Sequence, residues 1–128
     1  MKKLGLALGA GGSRGVAHIG FLQALEESNI RIDYIVGASM GSVVGGAYAA
    51  GVSADEMREV VCKLRLLDLI TRSKQKGGIF GNNKMRGQIA KYIGDIAFAD
   101  LKIPFHCIAV KYRRNGRRRH NRIHDAPL

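Results

Sequence analysis

Little in this sequence suits an oxidising compartment, a metal site or a membrane span. There are only two cysteines, Cys62 and Cys107, far apart and each in apolar company. No cysteine or histidine stands at a metal-ligand spacing, so no metal is expected. Buried, reduced thiols are expected instead, which suits a reducing compartment. Long apolar runs are also missing, and Val43 to Val52 is too short to cross a bilayer. Lys2-Lys3 before Leu4 to Leu8 faintly resembles a secretory signal. Gly5 breaks that run, however, and a polar glycine loop stands where a cleavage region would be. The expectation is a cytoplasmic chain with peripheral contact to a membrane face.

Acidic residues are scarce, and the net charge is +11. The excess is local. Before Lys111 the chain carries 14 basic and 9 acidic residues. Lys111, Arg113, Arg114, Arg117, Arg118, Arg119 and Arg122 then follow, with Asp125 alone in opposition. This segment has no apolar periodicity and too little apolar surface to offset the entropy of ordering it. Residues 111–128 therefore read as a basic tail without regular structure, and residues 1–110 as one domain.

What the chain has in quantity is glycine, 17 residues in 128, mostly at turns and helix ends. Two glycine-rich turns stand out. Gly9-Ala10-Gly11-Gly12-Ser13-Arg14-Gly15 follows the apolar run Leu4 to Leu8. Gly37-Ala38-Ser39-Met40-Gly41 follows Tyr34-Ile35-Val36. Each reads as strand, tight turn, helix. The spacing predicts strands at Leu4–Leu8, buried on both faces, at Arg31–Val36 and at Phe105–Val110. It predicts helices from Arg14 to Ser28 and from Met40 to Ala50, the latter closed by Gly51. Ser53-Ala54-Asp55-Glu56 reads as an N-cap with a carboxylate at N3, opening a helix to Leu67. Thr71 to Gly81 reads as a loop. Asn82 or Asn83 would cap a further helix through Tyr92, stopped by Gly94. Alternating strands and helices imply an α/β fold with a parallel sheet and right-handed crossovers.

A G-x-S-x-G turn between strand and helix forces its serine into a strained backbone and exposes the hydroxyl at a helix N-terminus. Ser39 is therefore the candidate nucleophile. The Met40 N–H is a candidate oxyanion donor, because the helix end favours developing negative charge. The first turn fails as a dinucleotide fingerprint, since the sixth position from Gly9 is Arg14. It also fails as a Walker loop, because Arg14-Gly15-Val16 replaces Gly-Lys-Ser/Thr. No cofactor is expected. What remains is an oxyanion loop in which Gly11 and Gly12 present N–H groups toward Ser39. Arg14 either braces this loop or meets a phosphate, or it simply serves the start of the helix.

Ala10-Gly11-Gly12-Ser13-Arg14-Gly15 with Val16-Ala17-His18-Ile19-Gly20-Phe21-Leu22, followed by Gly37-Ala38-Ser39-Met40-Gly41, resembles the bacterial patatin-like phospholipases. The resemblance extends through Ile103-Pro104-Phe105. It implies a three-layer α/β/α fold with a mostly parallel sheet, here incomplete at its C-terminal end. It implies a Ser–Asp dyad acting on acyl esters of lipids, with Ser39 as nucleophile and Gly11, Gly12, Ser13 and Arg14 as the oxyanion loop. Ala10 stands where the family often has glycine, and would be strained there if the position needs a positive φ. The family's aspartate lies in an Asp-Gly turn, and no Asp-Gly occurs in this chain. A truncation or frame shift near Val110 is the expectation that follows. So is impaired turnover, because a serine without a base is a poor nucleophile.

Two other readings compete. A Ser–His–Asp triad would need His18, His106, His120 or His124 as base. The first two read better as packed, satisfied histidines, and the others lie in the tail. A non-catalytic role would use the arginine-rich segment to bind an anionic surface or nucleic acid. Nucleic acid is disfavoured, because Tyr112 is the only aromatic there for base stacking.

Overall fold

The computed structural model describes residues 2–70, 87, 90–111 and 120–124. The chain begins with strand β1 (Gly5–Leu8), a 3-10 turn (Gly12–Val16) and helix α1 (Ala17–Glu27). Strand β2 (Tyr34–Ala38) and helix α2 (Met40–Ala49) follow directly, and then helix α3 (Ala54–Ile70). Strands β3 (Phe105–Lys111) and β4 (His120–His124) complete the sheet, whose order is β1-β2-β3-β4. The first three strands are parallel, with Leu6 beside Ile35 and Ile35 beside Phe105; β4 runs antiparallel to β3. The α/β architecture with a mostly parallel sheet is thus the one expected.

Three parallel strands laid down side by side in chain order send right-handed crossovers to one face. That face carries Leu8, Ile35 and Phe105, which close on Gly45 of α2. Fully buried Ile35 and Leu22 sit in one core with Ile19, Met40, Val44 and Met57. Gly45 lets the helix approach closely, since a Cβ there would lie 3.0 Å from Ile35 and 3.2 Å from Phe105. The opposite face is open at Ala7 and at Ile108, which is 49% exposed. β1 is therefore an edge strand covered on one face, not a strand buried on both. The second helical layer that the resemblance implies is not seen among the described residues.

The chain's short connections are tied by backbone bonds. Leu4 N donates to the Asp33 carboxylate and Asp33 N donates to Leu4 O, both at 2.9 Å, so the starts of β1 and β2 are clasped together. The predicted capping box is present. Glu56 N donates to Ser53 Oγ, while Ser53 N donates to the Glu56 carboxylate at 2.8 Å. Gly51, at φ 101, ends α2, and Gly94, at φ 70, follows the helical residues 90–93. Beyond α2, Lys102 N and Ile103 N both donate to Ala49 O, which fastens the end of that helix to the approach of β3.

Several expectations need correction. The first helix starts at Ala17, because the glycines of the preceding turn favour a 3-10 path closed by Arg14 N to Gly11 O at 3.0 Å. Cys62 is exposed on α3 and Cys107 is only half-buried, so the expectation of two buried thiols fails; both are free. Five residues of the basic segment, His120–His124, form β4, contrary to a tail without regular structure. The exposed edge of β3 offers a row of unpaired N–H and C=O groups, which a backbone can satisfy without apolar periodicity. The loop expected at Thr71–Gly81 and the helix cap at Asn82 or Asn83 lie outside the described residues.

Candidate active site

Ser39 stands between the last residue of β2 and the first of α2, at φ 53 and ψ −123. Among the described residues, only Asn29 shares a positive φ without being glycine. A side chain in this region is disfavoured by about 1–3 kcal/mol, and the surrounding turn must enforce it. The enforcement is steric. A Cβ at Gly37 would lie 2.6 Å from Gly41 O, and one at Gly41 would collide with Leu8 O and lie 2.6 Å from Gly9 O. The strand must therefore enter the helix on bare backbone, with Ser39 at the apex and exposed. Ser39 O accepts the Ser42 N–H at 2.9 Å, so the turn is already the first turn of α2. The Ser39 side chain makes no capping bond. The hydroxyl sits where the free N–H groups of the helix concentrate positive potential.

The glycine loop is the neighbour of this corner. Gly41 packs beneath the Leu8 and Gly9 carbonyls, and the Met40 side chain packs against Gly15. Met40 is buried, so its backbone N–H stands at the helix start while its side chain anchors the loop's far end. Gly11 leads into the turn, Gly12 takes φ 53, and Ser13 and Arg14 are exposed. Ala10 is not among the described residues with positive φ, so alanine is accommodated there without that strain. Arg14 N closes the turn onto Gly11 O.

The described histidines, and the carboxylates Asp33 and Asp55, are placed elsewhere or engaged. Asp33 lies at the opposite end of β2, roughly 20 Å from Ser39 along an extended strand, and is clasped to Leu4. Asp55 pairs with Arg58 at 3.2 Å in the first turn of α3. The His106 ring packs against Tyr34 at a tilt of 43°, with centroids 5.3 Å apart, near the start of the sheet. His18 Nε2 lies 2.8 Å from Gly9 O and so donates to it. Among the described residues no carboxylate or imidazole hydrogen-bonds Ser39. The side chain of Asp68, and His120, His124 and Asp125, lie outside the described side chains. No group of three or more metal-ligating side chains occurs among the described residues. No described helix is long and apolar enough to cross a membrane.

The sequence predicts His18 among packed residues but carries no sign of its partner, the Gly9 carbonyl. A helix residue bonding a carbonyl nine positions upstream leaves no periodic signal.

The profile of patatin-like phospholipases matches residues 6–128, through β4 and the basic segment. The chain belongs to the patatin-like phospholipase family. Among its relatives is an uncharacterized NTE family protein of Mycobacterium tuberculosis, 40% identical over 110 residues, covering 84% of this chain and 30% of the relative. The lysophospholipase NTE1 of Cryptococcus neoformans is 46% identical over 81 residues, 63% of this chain and 4% of its own length. The lysophospholipase NTE1 of Candida glabrata is 63% identical over 46 residues, 36% of this chain and 3% of its own length. The chain thus spans less than a third of the curated relatives it matches. Both glycine corners of this patatin-like domain lie within the matched residues.

Proposed function

We propose that this chain carries the nucleophile and oxyanion half of a lipid acyl ester hydrolase, with lysophospholipids as the substrate class. The observation that carries this reading is the backbone of Ser39, held at φ 53 and ψ −123 by two glycines that cannot bear a side chain. Such strain is maintained where a side chain must stand clear of its own backbone.

In the proposed reaction, Ser39 Oγ attacks the ester carbonyl. The carbonyl oxygen gains negative charge and is received by the N–H groups of Gly11, Gly12 and Met40. Ser13 and Arg14 complete the loop, and Arg14, exposed there, would meet the phosphate of a head group. The bond to the leaving alcohol then breaks, and that oxygen takes up the proton lost by Ser39. Water releases the acyl group in a second, equivalent step. Loss of one oxyanion donor typically costs about 10²–10³ in turnover.

Proton removal from Ser39 is the weak point of the chain as it stands. No described carboxylate reaches it, so turnover is expected to be low, resting on oxyanion donors and binding alone. Peripheral membrane contact belongs to the same reading. The basic run from Lys111 to Arg122 would be drawn to anionic lipid at about 1 kcal/mol per basic residue near the surface, weakening as salt rises.

The test is covalent labelling by a fluorophosphonate, with mass-spectrometric mapping of the modified residue. Modification of Ser39, absent in Ser39→Ala, is expected, together with slow hydrolysis of a short-chain nitrophenyl ester. Labelling that survives Ser39→Ala unchanged would overturn the assignment of the nucleophile.

A further inference from the structure

The oxyanion half of the proposed site is a loop of bare glycines, and such a loop needs something to fix its direction. Gly9 and Gly12 have no neighbour within 4 Å of where a Cβ would stand. Neither Gly11, at the start of the 3-10 turn, nor Val16, at the start of α1, makes a side-chain capping bond. Within the loop, the backbone bond from Arg14 N to Gly11 O shapes the turn without orienting it against the rest of the molecule.

Among the described residues, one side chain hydrogen-bonds this loop. His18, in the first turn of α1, places Nε2 2.8 Å from Gly9 O. A carbonyl only accepts, so Nε2 carries the hydrogen. That donor is present both in the neutral Nε2–H tautomer and in the imidazolium. Gly9 O is also the oxygen that lies 2.6 Å from the Cβ position of Gly41. The same carbonyl is therefore gripped by α1 and seated on the first turn of α2.

We propose that His18 is a positioning residue for the oxyanion loop, setting through the Gly9 carbonyl where the Gly11 and Gly12 amides stand relative to Ser39. This rests on the reading of Ser39 and the loop as one site. A carbonyl released from His18 lets the loop start rotate about Gly9, which has no Cβ to resist it. A displacement of about 1 Å in a catalytic group can cost about 10²-fold in rate. The Gln side chain places its amide nitrogen close to the position of an imidazole Nε2, whereas the shorter Asn falls short of Gly9.

The experiment compares His18→Ala, His18→Asn and His18→Gln with the unaltered chain. It reads the second-order rate of fluorophosphonate modification at Ser39 and the hydrogen exchange of the Gly11 and Gly12 amides. His18→Ala and His18→Asn are expected to slow labelling roughly 10- to 100-fold and to speed exchange at both glycines. His18→Gln is expected to restore both to within a few-fold. A general packing role would not be mended by Gln while remaining broken in Asn. Equal labelling in all four proteins, or equal losses in Asn and Gln, would overturn the proposal. If the unaltered chain is not labelled, the reading of Ser39 fails by itself. Exchange then decides His18, and unchanged protection of Gly11 and Gly12 in His18→Asn refutes its hold on the loop.

Discussion

The two glycine corners use the same residue for opposite ends. At the elbow, Gly37 and Gly41 are required because backbone atoms occupy the places where side chains would begin, 2.6 Å away at Gly37. In the first loop, Gly9 and Gly12 face open space, and a methyl group would meet nothing within 4 Å. Sterics therefore explain the elbow glycines and leave two of the loop glycines unexplained by packing. On the proposed reading, what the loop gains from lacking side chains is access to its N–H groups. One corner is built to hold a side chain in a costly conformation; the other is built to keep its backbone uncovered.

This contrast can be broken by substitution. Gly41→Ala should have the largest effect, a destabilisation of about 3 kcal/mol seen in urea unfolding, since the Leu8 carbonyl, at the end of β1, cannot yield without moving the strand. A loss below about 1 kcal/mol would mean that the elbow is not sterically locked. Gly12→Ala should cost stability only through its φ of 53, about 1–2 kcal/mol, yet slow fluorophosphonate labelling of Ser39 by about 10²-fold. A Gly12→Ala protein labelled at the unaltered rate would remove the loop from the chemistry. Ser39→Gly should abolish labelling while raising stability by about 1 kcal/mol, as the strain at φ 53 is released. Calorimetry that finds Ser39→Gly less stable than the parent chain would contradict the strain at this residue.

The smallest effect should come from a site remote from both corners. The Ser53 N–H, then the Ser53 hydroxyl, hold the Glu56 carboxyl below its ordinary value of 4.5; slight burial opposes this, and Lys102 adds to it. A carboxyl lowered on folding contributes stability above that ordinary value and loses it as pH falls through the folded value. Ser53→Ala should therefore reduce the acid-side dependence of the melting temperature and leave Ser39 labelling untouched. A change in labelling would show that α3 is coupled to the site.

Much of this was legible because local chemistry and tertiary demand agree. Apolar runs marked β1, β2 and β3, the Ser53–Glu56 box marked the start of α3, and G-x-S-x-G marked the backbone of Ser39. The rest depends on contacts that no periodicity encodes. β4 forms by backbone pairing to an edge, with Ile123 beside Ile108, in a segment whose composition argues for disorder. Cys62 sits among apolar neighbours in sequence, but its position on α3 turns it outward. One-sided covering of the sheet follows from strand order, which is a property of the assembled chain. The His18–Gly9 bond likewise exists only once the 3-10 turn has brought the start of α1 back to the end of β1.

Helix α2 is pinned at both ends. Its first turn is wedged under the carbonyls of Leu8 and Gly9, and its last carbonyl region is fastened through Ala49 to Lys102 and Ile103. A rod secured in this way has little freedom to slide or swivel, so the hydroxyl at its tip is the stationary member of the pair. On the proposed reading, adjustment to acyl groups of different bulk would then fall to the glycine loop. Relaxation measurements on fast timescales should find α2 as stiff as the central strands and the stretch from Gly9 to Gly15 softer than either.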